Sequence, residues 1–284
     1  MTLSIGVCIK LVDRRPEVDP LTGAVHDDPR FAGPSDADLA ATEWALRAAE
    51  TWGGEVVAVT VGPPDADAVV RWALGAGARH AVRVDLSLDA PSDLVASALA
   101  PVLSECMQVW CGDASLDRGS GSVPAFLAAR LGASQALGLV GIELDAAAVA
   151  RVLAVRRLDG GRRERLRIEG PAVLSVEGST ARLRRASVQG SLAARRAEVD
   201  VVAGPAFAEP AGRTTRPFRP RPRVLPAPAG TDALTRIRAL TASDGAPAAT
   251  QAVELSPADA ATRILATLTA WGYLDDTPTG APSP

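Results

Sequence analysis

The sequence predicts an α/β fold in which a parallel sheet carries helices on both faces. Short apolar segments rich in valine, isoleucine and leucine alternate with segments of helical periodicity through residue 131. In such sheets ligands bind beyond the carboxyl ends of the strands, so we expect the ligand site at the loops after residues 12, 61 and 112. The chain has 284 residues, 47% of them apolar, which is enough for a core of ordinary size.

In the first half of the chain, helix-capping and turn residues define the helices and strands as clearly as hydrophobic periodicity does. Ser35 and Asp36 form a helix start, and Gly53 with Gly54 ends that helix. Gly62 is followed by two prolines, which turn the chain after the second strand. The predicted strands cover residues 4–12, 55–61, 81–84 and 107–112, and the predicted helices cover 35–52, 65–76, 92–103 and 123–131.

The pattern changes near residue 137. Strands are predicted at 139–144, 149–156, 163–168, 171–176 and 199–202, with a loop and helical segment over 178–198. Asp159-Gly160-Gly161 is a hairpin turn signal. Seven prolines in 204–230 predict an extended linker. Helices follow at 231–240 and 257–271. The expected organisation is a domain at 1–203, the linker at 204–230, a C-terminal arm at 231–273 and a disordered tail at 274–284.

Composition excludes several classes of protein. The net charge of −3 argues against a nucleic-acid-coating protein. No apolar run approaches the roughly 18 residues of a membrane span. The three cysteines form no CxxC pair and only two histidines are present, so neither a disulfide framework nor a metal centre is expected. These features favour a reducing cytoplasm. Lys10 is the only lysine, which we interpret as GC-rich coding bias.

The most informative segment is 111–124, which follows a strand and opens a helix. Gly119 and Gly121 let the backbone approach a ligand, while Ser120 and Ser122 supply hydroxyl groups. With the free N–H groups of the helix start, they indicate a phosphate cradle. The alternative is a plain Gly/Ser turn, because the segment is neither a P-loop nor a full GxGxxG motif.

Other polar residues give weaker signals. Lys10 ends the first strand near the expected crevice and can meet a phosphate, or it marks the solvated end of the strand. No nucleophile elbow, catalytic triad or metal-ligand spacing is found. A binding or carrier role is therefore favoured over catalysis. The arginines at 184, 185, 195 and 196 flank a short apolar loop, which suits partner docking or a solvated connector.

In their order and spacing these segments resemble the beta subunit of electron transfer flavoproteins. The resemblance covers roughly residues 3–202, and more loosely 232–273. A GC-rich, actinobacterial member that diverges from the family is expected, since Asp117-Arg118-Gly119 replaces the family's acidic run and Ser35-Asp36-Ala37 its Asn-Pro-Phe. The matching segments are Val7-Cys8-Ile9-Lys10-Leu11-Val12, residues 41–47, Val61-Gly62-Pro63, residues 71–78, the loop and helix at 112–135, Asp159-Gly160-Gly161 and Pro171-Ala172-Val173.

The resemblance implies a Rossmann-like fold of the adenine-nucleotide-binding type and a heterodimer with an alpha subunit. FAD would be shared with that subunit, and AMP or a second FAD would lie in this one. Partner dehydrogenases would dock at 184–192, through Arg184, Arg185, Val188 and Leu192, with Val188 as the apolar anchor. The implied cofactor-binding positions are Cys8, Lys10, the segment 35–38 with Asp36, Val61, Gly62, Ala114, Asp117, Gly119, Ser120, Gly121, Ser122 and Val123.

Three functions are compatible with these features. The first is an electron carrier subunit, in which the flavin performs the redox step and no side chain is a catalyst. The second is a nucleotide-binding sensor or regulatory module of the same fold without a redox role. The third is an enzyme of the wider nucleotide-hydrolase group, which the missing catalytic motif disfavours.

Overall fold

The computed structural model describes residues 2–207, 232–241 and 253–273. They fall into two units, the first holding residues 2–207 and the second holding the two shorter ranges. Most of the predicted linker at 204–230, and all of the predicted tail at 274–284, lie outside the described residues. No helix in the described ranges combines the length and the apolar character needed to cross a membrane.

A nine-stranded mixed sheet organises the first unit. Its spatial order is β11-β10-β9-β12-β8-β1-β6-β7-β13. Neighbours from β9 to β13 pair in parallel, whereas β9, β10 and β11 are antiparallel. The strands are β1 (Leu3–Cys8), the two-residue β2 (Val12–Asp13), β3 (Glu17–Val18), β4 (Val25–His26) and β5 (Ala32–Gly33), then β6 (Gly54–Val61), β7 (His80–Asp85), β8 (Gln108–Gly112), β9 (Ser134–Leu144), β10 (Val152–Arg157), β11 (Arg163–Ile168), β12 (Ala172–Val176) and β13 (Asp200–Ala203).

Helices cover both faces of this sheet, and each face has its own apolar core. The helices of the first unit are α1 (Asp36–Trp52), α2 (Asp67–Ala76), α3 (Ser92–Leu103), α4 (Val123–Leu131) and α5 (Val188–Arg196). Ile5 and Val7 of β1 pack with α1 and α2, whereas Val109 of β8 packs with α3 and α4 on the other face. The predicted α/β class with two covered faces is confirmed, and the predicted hairpin extends the same sheet.

The first strand is shorter than predicted. The apolar run 4–12 is not one strand, because β1 ends at Cys8 and the chain then leaves the sheet. The Ile9 N–H still donates to the Val59 carbonyl at 2.9 Å, but the Lys10 N–H donates to the Asp38 carboxylate at 3.1 Å. A side chain thus replaces the neighbouring strand as acceptor. The predicted loop at 13–35 also contains two short ladders, β2 with β5 and β3 with β4.

The antiparallel region begins earlier than predicted. β9 starts at Ser134 rather than at residue 139, because its first residues pair in parallel with β12 before the strand continues into the hairpin. Its later residues pair with β10, with a register shift between Val155 and Arg156. One long strand therefore joins the parallel and antiparallel parts of the sheet.

The predicted helical segment within 178–198 is realised as α5, which packs on α2. The two helices approach at Gly75 of α2, where a Cβ would make only ordinary van der Waals contact with Ala186 at 3.5 Å and Ala194 at 3.8 Å. The Arg71 guanidinium donates to the carbonyls of Ala194 and Ala197, both at 2.8 Å. These bonds satisfy carbonyls at the carboxyl end of α5.

The second unit contains two helices, α6 (Ala233–Thr241) and α7 (Pro257–Ala270). The Ser256 hydroxyl accepts a hydrogen bond from the Asp259 N–H, and Pro257 occupies the first helical position, as the sequence predicts. No residue of α7 is buried within the described part of the chain. Ile264 and Leu265 are more than half exposed, whereas Leu268 is partly buried.

Candidate functional site

The sheet places a crevice between β1 and β8. From β1 the chain proceeds through β6 to β7 on one side, and then returns to β8 on the other side of β1. Loops leaving β1 and β8 at their carboxyl ends therefore diverge, which opens a space between them. This is the position where open parallel sheets bind ligands.

A pocket occupies this crevice and encloses about 830 Å³ of empty space, its open mouth included. One side of the pocket is apolar and the other is polar. The apolar lining includes Cys8, Ile9, Val59, Val61, Leu88, Val95, Leu99 and Cys111, and the polar lining includes Lys10, Asp38, Ser87, Ser92, Ser115, Arg118, Ser120 and Ser122.

Asp38 is a buried carboxylate at the centre of the crevice. It lies in the first turn of α1, and its N–H donates to the Ser35 hydroxyl at 3.1 Å. Gly112 at the end of β8 is required beside it, since a Cβ there would approach the Asp38 oxygen to 2.6 Å. Burial raises the pKa of Asp38 to about 6, although hydrogen bonds from Lys10, Ser35 and Gly112 partly oppose the shift. Asp38 thereby connects α1 to the ends of β1 and β8.

Asp38 is expected to make folding stability depend on pH. Because its folded pKa is raised, the folded state binds the proton more tightly than the unfolded chain between about pH 4 and 6. Its contribution to the free energy of unfolding therefore falls as the pH rises through that window. We expect Asp38→Asn to gain about 2 kcal/mol relative to the wild-type protein between pH 4 and pH 7, measured by urea unfolding at both pH values.

Asp36→Asn is the matched control for this prediction, because Asp36 is exposed in the same helical turn. Its stability difference from the wild-type protein should stay nearly constant over the same pH range. A pH-independent difference for Asp38→Asn would show that the buried carboxyl does not titrate in that window.

Two cysteine thiols face each other at the apolar side of the pocket. Cys8 ends β1 and Cys111 lies in the neighbouring β8, and neither is in a disulfide. A hydrogen bond with Cys111, together with burial, raises the pKa of the Cys8 thiol well above its usual value. The Cys8 thiol is therefore neutral at physiological pH rather than a thiolate nucleophile.

The loop after β8 forms the polar side of the pocket. Gly119 and Gly121 adopt left-handed conformations, with φ of 65° and 58°. A Cβ at Gly121 would lie 2.4 Å from the Asp113 carbonyl oxygen, whereas a Cβ at Gly119 would meet nothing within 4 Å. The loop leads into α4, whose first N–H groups are free to bind an anion. Only a glycine at 121 allows the two ends of the loop to approach this closely.

Lys10 is held by an ion pair with Asp117 in the same loop. Burial favours the neutral acid, but hydrogen bonds from Lys10 and Ser115 outweigh it and lower the pKa of Asp117. Arg118, the next residue, donates to the Ala90 carbonyl at 2.8 Å and to the Leu88 carbonyl at 3.1 Å. The loop is therefore tied to β1 on one side and to the loop after β7 on the other.

The structure gathers most of the predicted cofactor-binding positions around one pocket. Lining it are Cys8, Lys10, Val61, Ala114, Ser120, Gly121, Ser122 and Val123. Asp117 contacts Lys10 from behind the lining, and Gly119 lies in the same loop. Asp36 and Gly62 are not among the lining residues. Gly62 accepts a hydrogen bond from Arg83, so it shapes the loop after β6.

Sequence reasoning missed the loop after β7 and the arginine that reaches it. Ser87, Leu88, Ala90 and Ser92 line the pocket together with Arg118. The available signal was the predicted strand at 81–84, whose carboxyl end lies at the same edge of the sheet as those of the other parallel strands. No local motif marks the loop itself.

The predicted docking residues divide into two kinds. Arg184 is bound to α1 through Glu43, at 3.0 Å from its Nε, and through Glu50. These carboxylates, Glu50 first, raise the pKa of Arg184. Arg185 is exposed, and so are two apolar side chains of α5, Val188 at 79% and Leu192 at 53%. Arg184 therefore anchors the segment to α1, whereas Val188 and Leu192 remain exposed.

The region of the chain that matches a known protein family lies within the first unit. An electron transfer flavoprotein domain model matches residues 30–206. Protein FixA of Rhizobium meliloti (strain 1021) is 33% identical over 210 residues, which are 69% of this chain and 71% of the relative. Protein FixA of Azorhizobium caulinodans is 31% identical over 210 residues, with 69% and 74% covered. Protein FixA of Bradyrhizobium diazoefficiens is 30% identical over 206 residues, with 68% and 70% covered.

The family model covers every strand of the nine-stranded sheet except β1, together with the pocket loops after β6, β7 and β8 and the segment 184–192. The identity extends over two thirds of this chain. The family expected from the sequence is thus confirmed, and the chain belongs to the electron transfer flavoprotein family.

Proposed function

We propose that this chain is the beta subunit of a heterodimeric electron transfer flavoprotein. It would bind an adenine nucleotide in the pocket between β1 and β8, and help an alpha subunit to hold FAD at their interface. Electrons would pass from dehydrogenases through that FAD to a downstream acceptor. The observation that carries the proposal is the pocket itself, with an apolar side and a Gly/Ser loop at a helix start.

The residues of the pocket fit a phosphorylated nucleotide. The base would contact the apolar side near Val61, Val95 and Leu99. The phosphate would meet the hydroxyl groups of Ser120 and Ser122, which lie 3.0 Å apart, and the N–H groups at the start of α4. Gly121 keeps this cradle free of a Cβ. AMP and the adenylate part of a second FAD share the chemistry that this arrangement recognises.

The flavin would supply the redox chemistry, since it accepts and releases electrons by itself. This chain's residues would bind, orient and exclude water. The buried Asp38 and the hydrogen bond between Cys8 and Cys111 would fix the ends of β1 and β8, so that the pocket is already formed when the nucleotide arrives. The reducing cytoplasm is the proposed compartment, because the three cysteines are free thiols.

A sensor or regulatory role is the second candidate. This role would need only the pocket that the chain forms between β1 and β8. A colourless chain that binds AMP tightly and forms no flavin complex would favour this candidate.

The exposed residues of α5 are proposed to dock partner dehydrogenases. We expect Val188→Asp to slow electron entry from a reduced dehydrogenase at least tenfold, because a charge replaces an apolar anchor at the centre of the contact. Val149→Asp is the matched control, since Val149 is also exposed, at 62%. Equal rates for the two variants would exclude α5 as the docking element.

The proposal is tested by the nucleotides in the complex. The chain is co-purified with its alpha subunit, the complex is denatured, and released nucleotides are counted by mass spectrometry. One FAD with one AMP per heterodimer supports a simple carrier, and two FAD per heterodimer supports a second flavin in the pocket. A complex that releases no flavin contradicts the proposal.

A further inference from the structure

The loop between β8 and α4 crosses the pocket as a strap, which we define as residues 114–122. Asp117 holds it to Lys10 beyond the end of β1. Arg118 holds it to Leu88 and Ala90, in the loop after β7. Because β6 lies between β1 and β7, the strap spans the ends of three strands, with Val59 and Val61 of β6 among the pocket residues beneath it.

Arg118 provides the connection between the strap and the loop after β7. Both hydrogen bonds that join these loops in the described residues come from its guanidinium. A longer ion pair with Asp89 at 3.7 Å adds to them. Its donors point to two carbonyls of one loop, so the planar fork of the guanidinium matches the acceptors. A lysine can satisfy them less well because its charge is a single point.

We propose that Arg118 is a positioning residue that closes the pocket. While its guanidinium is bonded to Leu88 and Ala90, the strap stays over the ends of β1, β6 and β7. Breaking these bonds would widen the mouth of the pocket. The identity of the ligand as a nucleotide rests on the proposed function, but the closure itself depends only on contacts within this chain.

The alkylation rates of the cysteines measure closure of the pocket in the absence of a ligand. Cys8 and Cys111 line the pocket, whereas Cys106 is not among its lining residues. Cys106 lies near the opposite end of the sheet, 3.4 Å from the Ser4 hydroxyl of β1. Opening of the strap should therefore expose the first two thiols and leave the third unchanged. General loosening of the fold should expose all three.

The test is alkylation of the full chain by iodoacetamide at mildly alkaline pH, with the rate at each cysteine measured by peptide mass spectrometry. We expect Arg118→Ala to accelerate labelling of Cys8 and Cys111 about tenfold, as loss of two hydrogen bonds from the closed state predicts. Labelling of Cys106 should not change. The labelling rates of Cys8 and Cys111 in Arg118→Lys should lie between those of the wild-type protein and those of Arg118→Ala. Arg130 is an exposed arginine of α4, and the rates in Arg130→Ala should equal those of the wild-type protein.

Unchanged labelling of Cys8 and Cys111 in Arg118→Ala would overturn the proposal. Equal acceleration at all three cysteines would also overturn it, because Arg118 would then support the whole fold rather than the closure. The experiment contains no nucleotide and no partner. A complex without flavin would therefore contradict the proposed function and leave the labelling result decisive for Arg118.

Discussion

Gly121→Ala is expected to reduce retention of the adenine nucleotide at least tenfold while the chain stays folded. The alanine would combine a left-handed backbone, which costs about 1 kcal/mol, with a Cβ 2.4 Å from the Asp113 carbonyl oxygen. Backbone atoms cannot yield as a flexible side chain does, so the loop end must move away from Asp113. The proposed cradle at Ser120, Ser122 and the start of α4 would move with it.

Gly119→Ala is the matched control for this experiment. Gly119 has a similar φ of 65°, but a Cβ there meets nothing within 4 Å. It therefore adds the backbone strain without the collision, and we expect AMP affinity to stay within about fivefold of wild type, which corresponds to about 1 kcal/mol of strain. Affinity is measured by isothermal titration with AMP, and folding by circular dichroism. Equal losses for the two alanines would place the nucleotide away from this loop.

Removal of residues 231–284 is expected to weaken assembly with the alpha subunit about a hundredfold, as loss of a large apolar contact predicts. The reason is the apolar surface of α7, which is not covered by any of the described residues of its unit, 232–241 and 253–273. Ile264 is 59% exposed, Leu265 55%, Trp271 65% and Tyr273 75%. Such a cluster is typical of a surface that another protein buries. Assembly is measured by analytical ultracentrifugation of the mixed subunits.

Substitutions on α7 distinguish an effect of its apolar surface on assembly from an effect of the length of the arm. The double variant Ile264→Asp, Leu265→Asp should reproduce most of the loss, while Thr262→Asp, also exposed on α7, should not. Truncation after residue 273 should leave assembly unchanged. Unchanged assembly after removal of 231–284 would mean that the arm serves another purpose.

Helices and strands were predictable where capping or turn residues agree with hydrophobic periodicity. Helix α1 was predicted because Ser35 caps it and Gly53 ends it, and the structure gives Gly53 a left-handed φ of 71°. Strand β1 was predicted too long, because hydrophobicity alone cannot show that Asp38, 28 residues away, takes the N–H of Lys10. The early start of β9 was missed because its first pairing is with β12, which comes later in the chain.

In the site, too, the features with a local sequence signal were predictable and the long-range contacts were not. The Gly/Ser loop was predictable, since left-handed glycines before a helix are a local signal. The contacts of Arg118 were not, because its acceptors are backbone carbonyls in a loop without a motif, 28 and 30 residues away. Likewise, Arg184 looked like a docking charge until the structure paired it with the buried Glu43. Long-range pairings of this kind require the fold.

The visible absorption spectrum of the chain purified with its alpha subunit tests the central claim most directly, recorded before and after addition of a dehydrogenase with its substrate. We predict a flavin band that is bleached by the reduced dehydrogenase and restored by an electron acceptor. A colourless complex, or a flavin band that no dehydrogenase bleaches, would contradict the assignment of this chain as an electron carrier subunit.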